Sequence, residues 1–122
     1  MTNLKYQAFA QAISRLHEIL GAPETDFNRD AAIQRFEFTV ELAWKCIQAR
    51  LREEKIECRS PKSCLQEAFQ FGLLADNPLW LQMLEDRNLT SHAYDDALAK
   101  RIYGDLKPYA ALLSELQNAL TK

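Results

Sequence analysis

Eight consecutive residues, Arg87-Asn88-Leu89-Thr90-Ser91-His92-Ala93-Tyr94, bring a fixed cation, an imidazole and a phenol together. Arginine offers a planar fork of donors that matches phosphate oxygens, and histidine is the side chain whose ordinary pKa lies near neutrality. Such a set can bind a phosphodiester and move a proton at it. The same residues also have a purely structural reading. An arginine in the last turn of a helix is favoured by the macrodipole, and a histidine or tyrosine at a corner satisfies a loose carbonyl.

What positions this stretch is legible as apolar periodicity on either side of it. Asn77-Pro78 is a cap-then-proline signal, and in the helix it opens Trp80, Met83, Leu84 and Arg87 share one side. Arg87 thus emerges from a face that is otherwise apolar, and a cation there needs a carboxylate or a ligand. After the corner, Asp95 or Asp96 caps a last helix with the stripe Leu98, Ile102, Leu106, Tyr109, Leu113, Leu116 and Leu120. The pattern runs through Pro108, whose ring crowds the carbonyl of Gly104. It reads as one long kinked helix, with two abutting helices as the alternative.

Upstream, Tyr6, Phe9, Ile13, Leu16 and Leu20 mark a helix from about Asn3 to Leu20, ended by Gly21 and Pro23. His17 falls just off that stripe, where a rim position is expected. A second helix runs from about Phe27 to Glu54, capped by Asp26 or Asn28. It carries one apolar stripe (Ile33, Phe36, Val40, Trp44, Ile47, Leu51) and another (Phe38, Leu42, Cys46, Ala49), so it is expected to lie sandwiched. Between them runs a polar strip that includes Glu37, Glu41 and Lys45. Glu37 and Glu41 are like charges one turn apart, unfavourable unless a cation approaches, and Arg87 is one candidate; a strip that simply faces solvent is the other reading. Ser60-Pro61 opens a short helix that ends at Phe71-Gly72. No alternating strand pattern appears, and the helices predict an all-α antiparallel up-and-down four-helix bundle with an additional short helix.

The chain has 122 residues and a formal charge of -2, with 48% hydrophobic and 26% charged residues, which argues against a general nucleic-acid coat. It shows no apolar signal core and no run long enough to span a membrane. Cys46, Cys58 and Cys64 are odd in number and lack metal-ligand spacing, which points away from a disulfide framework and from zinc. A reducing, cytoplasmic location is expected, with no metal and no cofactor.

Three segments carry a resemblance: Arg35 to Lys45 (RFEFTVELAWK), Ser60-Pro61-Lys62, and Trp80 to Asp95 with its Asp-Arg-Asn-x-Thr-Ser-His-x-Tyr run. Together they resemble the bacterial nucleotidyltransferase substrate-binding protein family, a branch of the HEPN superfamily, over about residues 4 to 118. The resemblance implies one HEPN-like bundle domain over residues 1–122, a homodimer, and a small, separately encoded nucleotidyltransferase as partner. It implies that Arg87 and His92, matching an Arg-x4-6-His motif, face their counterparts across a dimer cleft and cleave RNA without metal, as part of a toxin-antitoxin pair. Tyr94 matches the tyrosine that the partner adenylylates, and Asn88 matches the polar residue after the arginine.

That chemistry is sound on its own terms. In RNA the 2′-OH is an internal nucleophile, so the protein need supply only a base, an acid and a cation for the phosphorane. DNA lacks the nucleophile. Two readings follow: a HEPN ribonuclease silenced by its transferase, or a non-catalytic subunit that presents a nucleotide or substrate to that transferase. The Tyr94 hydroxyl is either the modified group or a partner that orients His92.

Overall fold

The computed structural model describes residues 4–121; the expected helix start at Asn3 lies outside the described residues. Five α-helices follow one another: α1 (Leu4–Leu20), α2 (Asp26–Glu53), α3 (Pro61–Phe71), α4 (Pro78–Leu89) and α5 (Asp96–Leu120), with one 3₁₀ turn, Thr90–His92, between the last two. No strand occurs among the described residues. The chain is the helical bundle that the periodicity predicts.

α2 is the spine. It packs against each of the other four α-helices, while α1 and α5 also pack on each other. Its first stripe is buried except for Trp44, which is half-buried. The second stripe departs from expectation. Cys46 is buried against α1, with its thiol 3.4 Å from the Lys5 carbonyl, and Leu42 is half-covered, but Phe38 is 56% exposed. α1 covers only part of that face, so the sandwich is complete on one side and open on the other.

The caps follow the sequence at three helices and correct it at one. Ser60 and Ser63 form a reciprocal capping box at α3, Asn77 caps α4, and Asp95 accepts from the Leu98 N–H at α5. At α2 the cap is Thr25, whose hydroxyl accepts from the Asn28 N–H, and not Asp26 or Asn28. α5 is one continuous helix through Pro108. The proline is exposed, so the carbonyl of Gly104 that loses its helical donor stays open to water.

A second correction concerns the cysteines. Cys58 and Cys64 are joined by a disulfide across the Ser60-Pro61 turn, with their Cα atoms 5.0 Å apart. The odd count misled because Cys46 is the buried, unpaired third. Burial pushes the Cys46 thiol up to about 11, so at neutral pH it is a protonated core group and no nucleophile. The disulfide and the Gln48 amide, which donates to the Cys58 carbonyl at 2.8 Å, fasten the connector before α3 against α2.

α4 is pinned to α5 by one buried carboxylate. Asp86, 3% exposed, accepts from the Tyr109 hydroxyl at 2.5 Å and from the Arg101 guanidinium at 2.8 Å. Tyr109 is fully buried and stacks on Phe36 of α2, ring centroids 5.6 Å apart. Burial first, and the hydrogen bond to Asp86 second, raise the Tyr109 phenol above its ordinary 10.0. Tyr109→Phe removes a donor from a buried carboxylate and is expected to cost about 1–3 kcal/mol in urea denaturation at neutral pH. A group whose pKa is raised on folding contributes fully below its unfolded value and progressively less above it. The gap between wild type and variant should therefore narrow as pH rises beyond 10. A gap that is absent at neutral pH, or that widens in alkali, contradicts this role.

Candidate functional site

Arg87 lies in the last turn of α4, half-buried, with its guanidinium directed at α2. Nη1 is 3.7 Å from Glu37 Oε2 and Nη2 is 3.5 Å from Glu41 Oε1. The two like charges one turn apart on α2 thus have the cation that their spacing calls for, and the strip does not simply face solvent. Thr90, buried at the corner, completes the setting: its hydroxyl donates to the Arg87 carbonyl at 2.6 Å and accepts from Nη1 at 3.3 Å.

These contacts fix the fork without spending it. A guanidinium has five N–H donors, and the ion-pair distances to the two carboxylates are longer than those of close charge-assisted hydrogen bonds. The Nε–H is buried and has no partner among the described residues. An unmade hydrogen bond at a buried donor is costly, and a water molecule or a ligand can complete it.

Five residues on, His92 ends the 3₁₀ turn and is exposed, with no hydrogen bond to either ring nitrogen among the described residues. Tyr94, 86% exposed, lies edge-on to it, ring centroids 6.2 Å apart. Neither side chain is tied to Arg87 by a hydrogen bond. The structure brings Arg87, Glu37, Glu41 and Thr90 together as one buried-edge cluster and sets His92 and Tyr94 beside it at the surface. Asn88 is exposed, at the rim of a cleft between α2, α3 and α4.

Two concavities flank Arg87. That cleft, about 340 Å³, is lined by Glu41, Trp44, Lys62, Leu84, Arg87 and Asn88 among others. The other, a shallower one of about 550 Å³, runs from Glu37 and Gln34 on α2 to Thr90 and Tyr94 at the corner. Glu41 belongs to the first and Glu37 to the second. No group of histidine, cysteine and carboxylate side chains able to hold a metal ion occurs among the described residues.

Sequence reasoning missed Asp86 and Thr90, which hold the corner; Trp44, read as part of an apolar stripe, packs on the core and also lines the cleft. Asp86 had a signal: it lies three residues after Met83 on the apolar side of α4, where a carboxylate must find donors. Thr90 had none, because its role depends on the 3₁₀ turn.

The molecule is thus an all-helical bundle with a cation held between two carboxylates beside an exposed imidazole and phenol. The chain belongs to the nucleotidyltransferase substrate binding protein like family, whose model matches residues 4–122. It is 35% identical over 83 residues to a Haemophilus influenzae protein named probable ribonuclease HepT, covering 64% of this chain and 57% of that one. The chain thus spans little more than half the length of that curated relative. A crystal structure of a Thermus thermophilus protein matches with a TM-score of 0.89 and 41% identity, over 93% of this chain and 99% of that one. A Haemophilus influenzae structure, described as revealing the fold of a substrate binding domain of a nucleotidyltransferase, matches with a TM-score of 0.74 and 27% identity, over 98% and 96% of the two chains.

Arg87→Ala leaves Glu37 and Glu41 facing each other and is expected to destabilise the fold by about 1 kcal/mol. Adding Glu37→Gln or Glu41→Gln to it removes the repulsion, so the second change should cost less in the Arg87→Ala background than in wild type. Strictly additive costs in thermal melts would show that the carboxylates and Arg87 do not interact.

Proposed function

We propose that this chain is a metal-independent endoribonuclease of the HEPN type, acting as a homodimer and silenced by a small, separately encoded nucleotidyltransferase. The observation that carries the reading is the Arg87 fork, fixed by Glu37, Glu41 and Thr90 yet short of hydrogen-bond partners, beside a solvent-exposed His92. The probable ribonuclease HepT among its relatives supports the same reaction class.

In this reading, His92 of one protomer takes the proton of an RNA 2′-OH, and that oxygen attacks the adjacent phosphorus. The bond from phosphorus to the 5′-oxygen breaks, and the second protomer's His92 returns a proton to the leaving oxygen. The products are a 2′,3′-cyclic phosphate and a free 5′-OH. Paired Arg87 forks stabilise the charge that builds on the phosphorane. Phe27, 88% exposed on the first turn of α2, together with exposed Leu89 and Tyr94, offers apolar surface at the same end of the molecule for the protomers to meet. The non-catalytic reading, a subunit presenting a nucleotide or substrate to the transferase, draws on the substrate-binding description of the Haemophilus structure.

The pure protein, running in light scattering at twice the 14.1 kDa of one chain, should cleave single-stranded RNA in EDTA and leave the matching DNA intact. His92→Ala and Arg87→Ala should each lower the rate by at least about a hundredfold with unchanged helical circular dichroism. RNA left whole by the wild type, or cut equally by His92→Ala, would sink the ribonuclease reading in favour of the presenting subunit.

Tyr94 is the proposed target of the transferase. Transfer of AMP from ATP to its phenolic oxygen, with release of pyrophosphate, sets a phosphate beside His92 and excludes RNA by charge and bulk. Incubation with the cognate transferase and ATP should add adenylyl mass to the peptide carrying Tyr94, and none in Tyr94→Phe. An equal gain in Tyr94→Phe would leave Tyr94 a partner that orients His92.

A further inference from the structure

The cleft between α2, α3 and α4 is more than a neighbour of Arg87. Its walls are apolar, from Val40, Pro61, Leu81 and Leu84, and Trp44 presents a half-buried ring in it. That ring is held in place. The indole N–H of Trp44 donates to Glu41 Oε2 at 3.2 Å, while the other oxygen of the same carboxylate faces Arg87 at 3.5 Å. One side chain therefore sets both the aromatic plane and the cation.

The charged groups of the cleft are balanced: Lys62 and Arg87 against Glu41 and Glu85. Glu41 is engaged by Trp44 and Arg87, which leaves Glu85 as the carboxylate that suits the N–H groups of a base. Lys62 sits in the first turn of α3, where the macrodipole disfavours a cation, so the helix itself gains nothing from it. The Cys58–Cys64 disulfide and the Gln48 hydrogen bond hold the Ser60-Pro61-Lys62 turn rigidly as the outer wall. The volume, about 340 Å³, lies in the range of small-ligand sites.

We propose that this cleft is a nucleobase subsite: a base stacks on Trp44 with its N–H edge toward Glu85, while its phosphate lies at Arg87 and Asn88. The inference rests on the RNA-binding reading above and deepens it, because it makes the cleft the element that selects which nucleotide flanks the scissile phosphate. Stacking on an aromatic ring is the usual way a protein holds an unpaired base. Glu85 can only accept, so guanine, whose N1–H and N2–H₂ donate side by side, is favoured over uracil, whose single N3–H lies between two carbonyl oxygens.

Binding of the wild-type protein to labelled 2′-O-methyl RNA, which cannot be cut, tests this by fluorescence anisotropy without dependence on catalysis. Trp44→Leu should raise Kd about five- to a hundredfold, and Trp44→Phe should recover much of it. Because Trp44 also touches Glu41, a second variant is needed: Leu81→Trp fills the cleft from its exposed rim and should weaken binding similarly. The same titrations with AMP, CMP, GMP and UMP separate the sources of the base. Trp44-dependent binding of mononucleotides as tight as that of RNA identifies a free nucleotide as ligand, and much tighter binding of RNA identifies the chain.

Equal binding of an abasic oligomer, Kd unchanged in both cleft variants, or no binding of RNA or mononucleotide overturns the subsite. The two readings fail separately. Cleavage of RNA that is indifferent to Trp44→Leu and Leu81→Trp removes the subsite alone, while Trp44-dependent binding without any cleavage by the wild type removes the ribonuclease.

Discussion

The site depends on a single electrostatic problem that the sequence sets and the fold solves. α2 carries two glutamates one turn apart on a half-buried strip, and α4 ends with an arginine on an otherwise apolar face. Each is unfavourable alone: like charges repel at that spacing, and a half-buried cation loses hydration. Brought together they offset one another, and the docking of α4 on α2 is fixed in register by the pair. The distances remain too long for the carboxylates to saturate the guanidinium, so it is oriented and still short of partners.

The docking has to be rigid for this to matter, and the rigidity comes from elsewhere. Asp86, the residue before Arg87, takes donors from Tyr109 and Arg101 of α5, and Tyr109 in turn stacks on Phe36 of α2. Three helices are thereby cross-linked within one residue of the cation. On the other side, Thr90 holds the Arg87 carbonyl and one Nη, which turns the chain out of α4 into the 3₁₀ turn and leaves His92 and Tyr94 at the surface. The corner is a stiff mount with His92 and Tyr94 on the outside.

Most of the helical layout was legible because periodicity and capping are local. Ser60-Pro61, Asn77-Pro78 and the stripe through Pro108 each declare themselves within a turn or two, and the pairing of Glu37 and Glu41 with Arg87 was one of the two readings that their charges left open. Thr25 was passed over because several capable residues stand in a row there, and backbone geometry alone chooses among them. Phe38 was misplaced because an apolar stripe says what a helix can bury, not how far its neighbour reaches. The Cys58–Cys64 bond and the Asp86 to Tyr109 contact join residues whose proximity depends on a turn and on a helix crossing, neither of which spacing reveals.

In the proposed reading, Arg87 meets an RNA phosphate with the donors that Glu37, Glu41 and Thr90 leave unused. The Nε–H resonance of Arg87 in ¹H–¹⁵N spectra, assigned through Arg87→Lys, reports this directly when 2′-O-methyl RNA is titrated in. The account predicts a saturable downfield shift of that one guanidinium signal as a phosphate oxygen completes its hydrogen bonds, with the Glu37 and Glu41 backbone signals moving in step. An Arg87 signal that stays put while RNA binds elsewhere would show the arginine to be a structural counter-ion of α2 and nothing more.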